Sequence, residues 1–250
     1  AEVEYEDHTS NTIYVKFKVL KSNIDELVNN DILIWTTTPW TIPGNRALAY
    51  GNDIKYSLIK VLSIGDESLV KIGDKLLIAS ELIKNVNQEV KIKDFEIIKE
   101  FSGSKLKNTE CCHPFKKIGY NFVVKVLEAN FVTLDQGTGI VHVAPGHGAD
   151  DYNLGINNNI DVVQTVTDDG KYNENAVGFV GEHVYKVDLK IAEKLKEFDR
   201  LVYLGKLRHS YPHSWRSKAP LIYRNAPQWF ISMEKNNLRD IALKSIDETI

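Results

Sequence analysis

Cysteine is almost missing from this 250-residue chain. Only Cys111 and Cys112 occur, and adjacent cysteines neither bridge readily to each other nor make a disulfide framework or a metal-ligand spacing. That usage fits a reducing, cytoplasmic setting. Long apolar runs are missing as well: nothing approaches the roughly 18 apolar residues of a membrane span. The opening residues, Ala1 to Asp7, are acidic where a secretory leader is basic and then apolar, so neither membrane insertion nor secretion is expected. Charge of one sign is scarce, with 31 Lys and Arg against 34 Asp and Glu. Coating of nucleic acid by bulk charge is therefore excluded, and any RNA contact must be local. Several catalytic signatures are absent. There is no G-x-S-x-G elbow and no G-x-x-x-x-G-K-[ST] phosphate loop, while Gly137-Thr138-Gly139 runs into His142 in place of a dinucleotide fingerprint. Finally, Ala1 stands where an initiator Met would, which predicts a piece of a longer protein.

What remains is an ordinary globular composition, 43% hydrophobic and 26% charged, with enough apolar residues for a sizeable core. Residues 12 to 20 alternate β-branched or aromatic residues with polar ones, the period-2 pattern of a half-exposed strand. Asp25 to Asn30 reads as a turn or short helix, and residues 31 to 37 as a strand buried on both faces that stops before Pro39. Strands follow over Arg46–Tyr50, Ile54–Leu62 and Glu67–Ile72, and helical spacing over Leu76–Val86. Residues 88 to 108 predict an exposed strand with a turn at Gly103. Asn121–Asn130 is another strand, extended by Phe131–Leu134. Gly137 and Gly139 bracket a tight approach to the strand Ile140–Val143.

Asp150–Asn157 predicts a helix whose first-turn acids suit its positive dipole end. Val162–Val166 reads as a strand, and Val187–Leu204 as an amphipathic helix stopped by Gly205. Leu238–Ile246 is the last helix expected. The pattern is α+β and β-rich, with a first unit at 1–205 and a return segment at 206–250. Composition shifts at that point: Lys206 to Arg224 carry five Lys or Arg, two His and three aromatics with no acid, the one stretch suited to nucleic acid.

Two segments stand out. Trp35-Thr36-Thr37-Thr38-Pro39-Trp40-Thr41-Ile42-Pro43-Gly44-Asn45-Arg46 and Gly137-Thr138-Gly139-Ile140-Val141-His142-Val143-Ala144-Pro145-Gly146-His147-Gly148-Ala149-Asp150-Asp151-Tyr152 each leave an apolar strand for a Pro- and Gly-rich loop. Such loops present chemistry from a rigid strand end. Two prolines fix the first backbone so that hydroxyls and carbonyls face outward. His142, His147, Asp150 and Asp151 are chemically able to bind zinc, but their spacing matches no standard ligand pattern. Taken singly, the threonines fit strand propensity, His142 a core histidine and Asp151 a helix-start acid.

Together these segments resemble the editing domain, the connective-peptide-one insertion, of isoleucyl-tRNA synthetase. The resemblance covers nearly the whole chain, since Tyr211-Pro212-His213-Ser214-Trp215-Arg216 and Pro227-Gln228-Trp229-Phe230 are similar to the return to the catalytic domain. Sister valyl and leucyl enzymes typically carry Arg-Pro-Glu or Arg-Pro-Asp in place of Thr38-Pro39-Trp40, and Ala-His-Asp in place of Gly146-His147-Gly148. The family's ATP-site signatures, His-Ile-Gly-His and Lys-Met-Ser-Lys-Ser, do not occur. A Cys-Trp-Arg-Cys zinc element of some members is here Ser214-Trp215-Arg216-Ser217, so no metal is expected.

The resemblance implies a barrel-like, β-rich editing domain with peripheral helices. It implies an aminoacyl-tRNA deacylase activity: hydrolysis of valyl-tRNA(Ile), with valyl-adenylate as a second candidate substrate. Asp151 would hold the α-ammonium, Thr37 and Thr38 the terminal adenosine or the reacting carboxyl region and a water, and His142 would limit side-chain size or polarise a water. Thr36, Trp40, Thr41, Asn45, Gly146 and His147 would complete the pocket. No cofactor is implied for hydrolysis, since ATP and Mg serve the synthetic site of the parent ligase. The implied partners are the 3′ end of tRNA(Ile) and the rest of the synthetase in cis. Other readings of the same residues are a valyl- or leucyl-type editing domain, a non-catalytic tRNA-binding module, and a metal-dependent hydrolase.

Overall fold

A 19-residue strand, β1 (Val3–Lys21), is the spine of the molecule in this computed structural model, which describes residues 3–66 and 68–249. The remaining elements are β2 (Asp31–Thr36), β3 (Ala47–Tyr50), β4 (Lys55–Ile64), β5 (Lys75–Ala79), α1 (Ile83–Val90), β6 (Ile92–Ser102), β7 (Glu110–Cys112), β8 (Val123–Glu128), β9 (Ile140–Val143), α2 (Ala149–Asn157), α3 (Asp188–Glu197), β10 (Leu201–Ser214) and α4 (Leu238–Asp247). Strand order is β6-β4-β5-β2-β1-β7-β8-β3-β9, with β10 on the outer length of β1. The pairs β2–β5 and β3–β8 are parallel and the others antiparallel.

The sheet curls far enough for β9 to pack across β2, and the Ala79 N–H donates to Thr138 O at 2.9 Å. No ladder joins the edge strands β6 and β9 among the described residues, so the barrel is open. The curl is what matters for function, because it brings the ends of β2 and β9 together.

Burial explains where the elements differ from expectation. Residues 12 to 17 are buried on both faces, and Lys16 survives there because its ammonium meets Asp74 at 3.1 Å and Asp199 at 3.4 Å. Leu76–Ala79 forms β5, not the start of a helix. Its Leu-Leu-Ile-Ala run is buried between β4 and β2, and the helix begins only at Ile83. Of the strand expected over residues 67 to 72, Glu67 lies outside the described residues and the rest is irregular.

Residues 131 to 134 do not extend β8, and Val162–Val166 contributes only an isolated bridge from Val166 to Tyr172. The helix expected to reach Leu204 ends at Glu197. Asp199 turns the chain at φ +58° and Leu201–Leu204 pair with β1, so Gly205 lies inside β10. The same spacing that suited a helix face also delivers Leu201 and Val202 into the core. Both cysteines are buried free thiols. Among the described residues, no helix is long and apolar enough to cross a membrane.

Candidate active site

The first segment leaves β2 at Thr36 and tightens at once into a buried 3-10 helix, Pro39–Gly44. Pro39 occupies its first position, where a fixed φ is already helical and no N–H is needed. Thr38 precedes it. The Thr36 hydroxyl accepts the Thr38 N–H at 3.1 Å, and the Thr41 hydroxyl folds back to donate to Thr38 O at 2.8 Å. The hydroxyls of Thr36 and Thr38 lie 3.2 Å apart, and those of Thr38 and Thr41 3.3 Å apart. Thr37 and Thr38, with Trp40, line a cleft of about 380 Å³ that opens towards β1 and β10.

The second segment reaches the same place through β9. His142 points from that strand to Thr41, with Nε2 2.9 Å from the hydroxyl, while Nδ1 is 2.7 Å from Asn45 Nδ2. The Asn45 amide nitrogen also donates to Ala47 O at 2.9 Å, which fixes it as a donor. Nδ1 of His142 therefore accepts, Nε2 carries the proton, and Thr41 receives it. Burial, then the nearby His147, lowers the His142 pKa to about 3. The ring is neutral, and both nitrogens are occupied by protein.

Asp151 sits in the first turn of α2. Its Oδ2 accepts the Ala144 N–H at 2.7 Å. Burial raises its pKa to about 6, with the Ala144 bond opposing and Asp150 adding to the shift.

Gly146 and His147 serve the return segment. Gly146 O accepts the Asn225 N–H at 2.8 Å. His147 donates Nδ1–H to Tyr223 O at 3.1 Å and accepts at Nε2 from the Thr165 hydroxyl at 2.9 Å, with burial lowering its pKa to about 4. Its ring meets Trp40 edge-on at 4.9 Å, and a Cβ on Gly44 would stand 2.9 Å from it, which is why glycine ends the 3-10 helix.

The structure thus joins Thr36, Thr38, Thr41, Asn45 and His142 in one hydrogen-bonded chain. Thr37 and Trp40 stand on its ribbon side, and His147 braces Trp40. Residues that sequence reasoning missed hold this arrangement in place. His113 is buried, donates to Ile42 O at 3.0 Å and stacks on Tyr120 at 4.5 Å. The Tyr172 hydroxyl donates to Trp40 O. Neither carries a local signal, because both act across more than 70 residues of sequence. The basic stretch after Gly205 meets acids that the linear sequence hides: Arg208 pairs with Asp7, Lys218 with Glu4 and Glu6, and Arg224 with Asp168.

Residues 10–188 match the family described as leucyl-tRNA synthetase, editing domain. An isoleucine-tRNA ligase of Pelagibacter ubique is 52% identical over all of this chain, which covers 27% of that protein. The isoleucine-tRNA ligase of Desulfotalea psychrophila is 43% identical over 99% of this chain, covering 25% of that protein. The chain therefore spans about a quarter of the length of these relatives. Among solved structures, the P. knowlesi cytosolic leucyl-tRNA synthetase editing domain aligns over 80% of this chain and 97% of its own, with TM-score 0.57 at 11% identity. The P. falciparum counterpart aligns over 78% and 99%, with TM-score 0.55 at 10% identity. At such identity the likeness is one of fold.

Proposed function

Because this chain belongs to the leucyl-tRNA synthetase editing-domain family, we propose that it edits for an isoleucine-specific synthetase by hydrolysing valyl-tRNA(Ile), and valyl-adenylate as a second substrate. The need for a second sieve is energetic. A pocket gains only about 1–3 kcal/mol from one extra methylene, and isoleucine against valine is the standard example of that limit. A hydrolytic site that admits valine and refuses isoleucine removes the residual error.

The observation that carries this reading is the locked, neutral His142 beside the threonines. A ring whose nitrogens are both engaged, with a pKa near 3, is no proton acceptor at neutral pH, but it is a wall of fixed position. It measures the amino-acid side chain. Asp151, when ionised, pairs with the α-ammonium and sets the ester against that wall. The hydroxyls of Thr37 and Thr38 hold the terminal adenosine and a water, which supplies orientation more than acid–base power. Water oxygen attacks the ester carbonyl carbon, the carbon–oxygen bond to the ribose breaks, and the ribose oxygen leaves with a proton. Free valine and an uncharged acceptor end result. The neighbouring ribose hydroxyl relays the proton, since no second strong base lies among the residues joined at the site.

The test is release of labelled valine from valyl-tRNA(Ile) by the chain. Hydrolysis that spares isoleucyl-tRNA(Ile) and falls sharply, to a residual rate, in Asp151→Asn supports the assignment. Binding of tRNA without hydrolysis would make the domain a tRNA-holding module, and hydrolysis abolished by a chelator would make it a metal enzyme.

A further inference from the structure

Within the Pro39–Gly44 turn, Trp40 is short of backbone partners for a covalent reason. In a 3-10 helix each carbonyl accepts from the N–H three residues on, and the residue three after Trp40 is Pro43, which has none. The Trp40 N–H lies in the first turn, where no intrahelical acceptor exists. Trp40 is buried, so both peptide groups need partners from elsewhere in the chain.

Two residues from the second half of the sequence supply them. The Tyr172 hydroxyl donates to Trp40 O. On the other side, the Trp40 N–H faces the carboxylate of Asp188, the first residue of α3. Oδ2 of that carboxylate accepts from Asn11 Nδ2 at 3.2 Å, which ties it to β1, and Oδ1 is sealed from solvent. The carboxylate thus serves protein donors. Tyr172 is 2% exposed, with its ring centroid 6.2 Å from that of Phe179, and burial keeps its phenol protonated and able to donate.

Much depends on where Trp40 stands. Thr38 lies two residues before it and Thr41 one after, and the Thr41 hydroxyl reaches back past it to Thr38 O at 2.8 Å. In the deacylase reading Thr38 meets the nucleotide and a water, while the Thr41 hydroxyl receives the Nε2 proton of the His142 wall. A shift of the Trp40 peptide would move both at once. Orientation is worth much at such a site, where a misplacement of about 1 Å can cost roughly 100-fold in rate. We propose that Asp188 and Tyr172 are positioning residues for the hydrolysis, which hold the Trp40 backbone from opposite sides and so fix the spacing between Thr38 and His142. Neither touches substrate. The assignment rests on the deacylase reading.

The test pairs steady-state hydrolysis of valyl-tRNA(Ile) by the whole chain with fluorine NMR of the protein labelled with fluorotryptophan. The Trp40 resonance is identified by its loss in Trp40→Phe. Tyr172→Phe, which keeps the ring, and Asp188→Ala should each lower kcat roughly 10- to 100-fold with KM little changed, and should move or broaden the Trp40 resonance. Asp188→Asn should retain both kcat and the resonance. Its amide oxygen can face the Trp40 N–H while the Asn11 amide turns to accept from the new NH2. If Asp188→Asn is as impaired as Asp188→Ala, the charge is what acts and the proposal is overturned. A lower melting temperature with kcat and the resonance unchanged overturns it as well, since that is a role in stability alone. Should Asp188→Ala not fold, Tyr172→Phe decides by the same two readouts. An unmodified chain that does not hydrolyse valyl-tRNA(Ile) sinks the deacylase reading, and the resonance in the variants then still decides whether Asp188 and Tyr172 hold Trp40.

Discussion

Asp151 is where the proposed chemistry meets pH most directly. Burial raises its pKa to about 6 in the folded chain, so below that pH the carboxylate is protonated and cannot hold an ammonium. The substrate's amine must in turn be charged, and α-amino groups lose their proton around pH 8. The expected kcat/KM for valyl-tRNA(Ile) is therefore bell-shaped, with an acid limb near pH 6 that disappears in Asp151→Asn. An acid limb that persists in the variant would show that another group sets it. The same shift bears on stability: a carboxyl whose folded pKa is raised favours folding below its unfolded value near 4, and loses that contribution as pH rises through 6. His142 makes the companion case. Its removal opens space against the side chain, so His142→Ala should raise kcat/KM for isoleucyl-tRNA(Ile) by roughly 10- to 200-fold relative to valyl-tRNA(Ile). Unchanged rejection of isoleucine would place the size limit elsewhere. The variant should also lose about 1–3 kcal/mol of stability, because Thr41 and Asn45 are left without their partner.

At the level of elements, the site depends on β9 starting in the right place against β5. Gly139 makes that start possible. Its φ is +72°, and a Cβ there would stand 2.4 Å from Ala79 Cβ. Gly139→Ala combines backbone strain with overpacking, and should cost about 2–4 kcal/mol. Thermal melting should register it as a fall of roughly 5–15 °C. The glycine pair and the strand after it were legible in the sequence, as were residues 12–20 of β1, β2, β3, β4 and β8 from alternation or a bounded apolar run, α2 from its first-turn acids, and α4. The two strands misread as helix share one cause. Leu76–Ala79 and Leu201–Leu204 carry apolar spacing compatible with either a helix or a strand, and only pairing with β2, β4 and β1 decides between them. Candidate residues were legible as two loop motifs. The joining of Thr41 and Asn45 through His142 was not, because it depends on the sheet curling until β9 lies across β2.

Taken as a whole, the molecule is well buried from β1 through β10 and bare after residue 226. Trp229 and Phe230 are 101% and 87% exposed, and α4 turns Ile241, Leu243 and Ile246 to solvent. Apolar side chains this exposed favour association. The ligases this chain resembles are about four times its length. The exposed segment contributes almost no core, and the physical consequence is specific. Deleting residues 229–250 should leave the melting temperature within about 2 °C, since surface changes away from packed groups are worth only about 0.5 kcal/mol. The deletion should also reduce concentration-dependent association, read by sedimentation or light scattering, because these exposed apolar side chains are gone. The contacts of Tyr223 and Asn225 with His147 and Gly146 lie upstream of the cut, so valyl-tRNA(Ile) hydrolysis should persist. A large drop in melting temperature would instead show that α4 packs on the domain in solution.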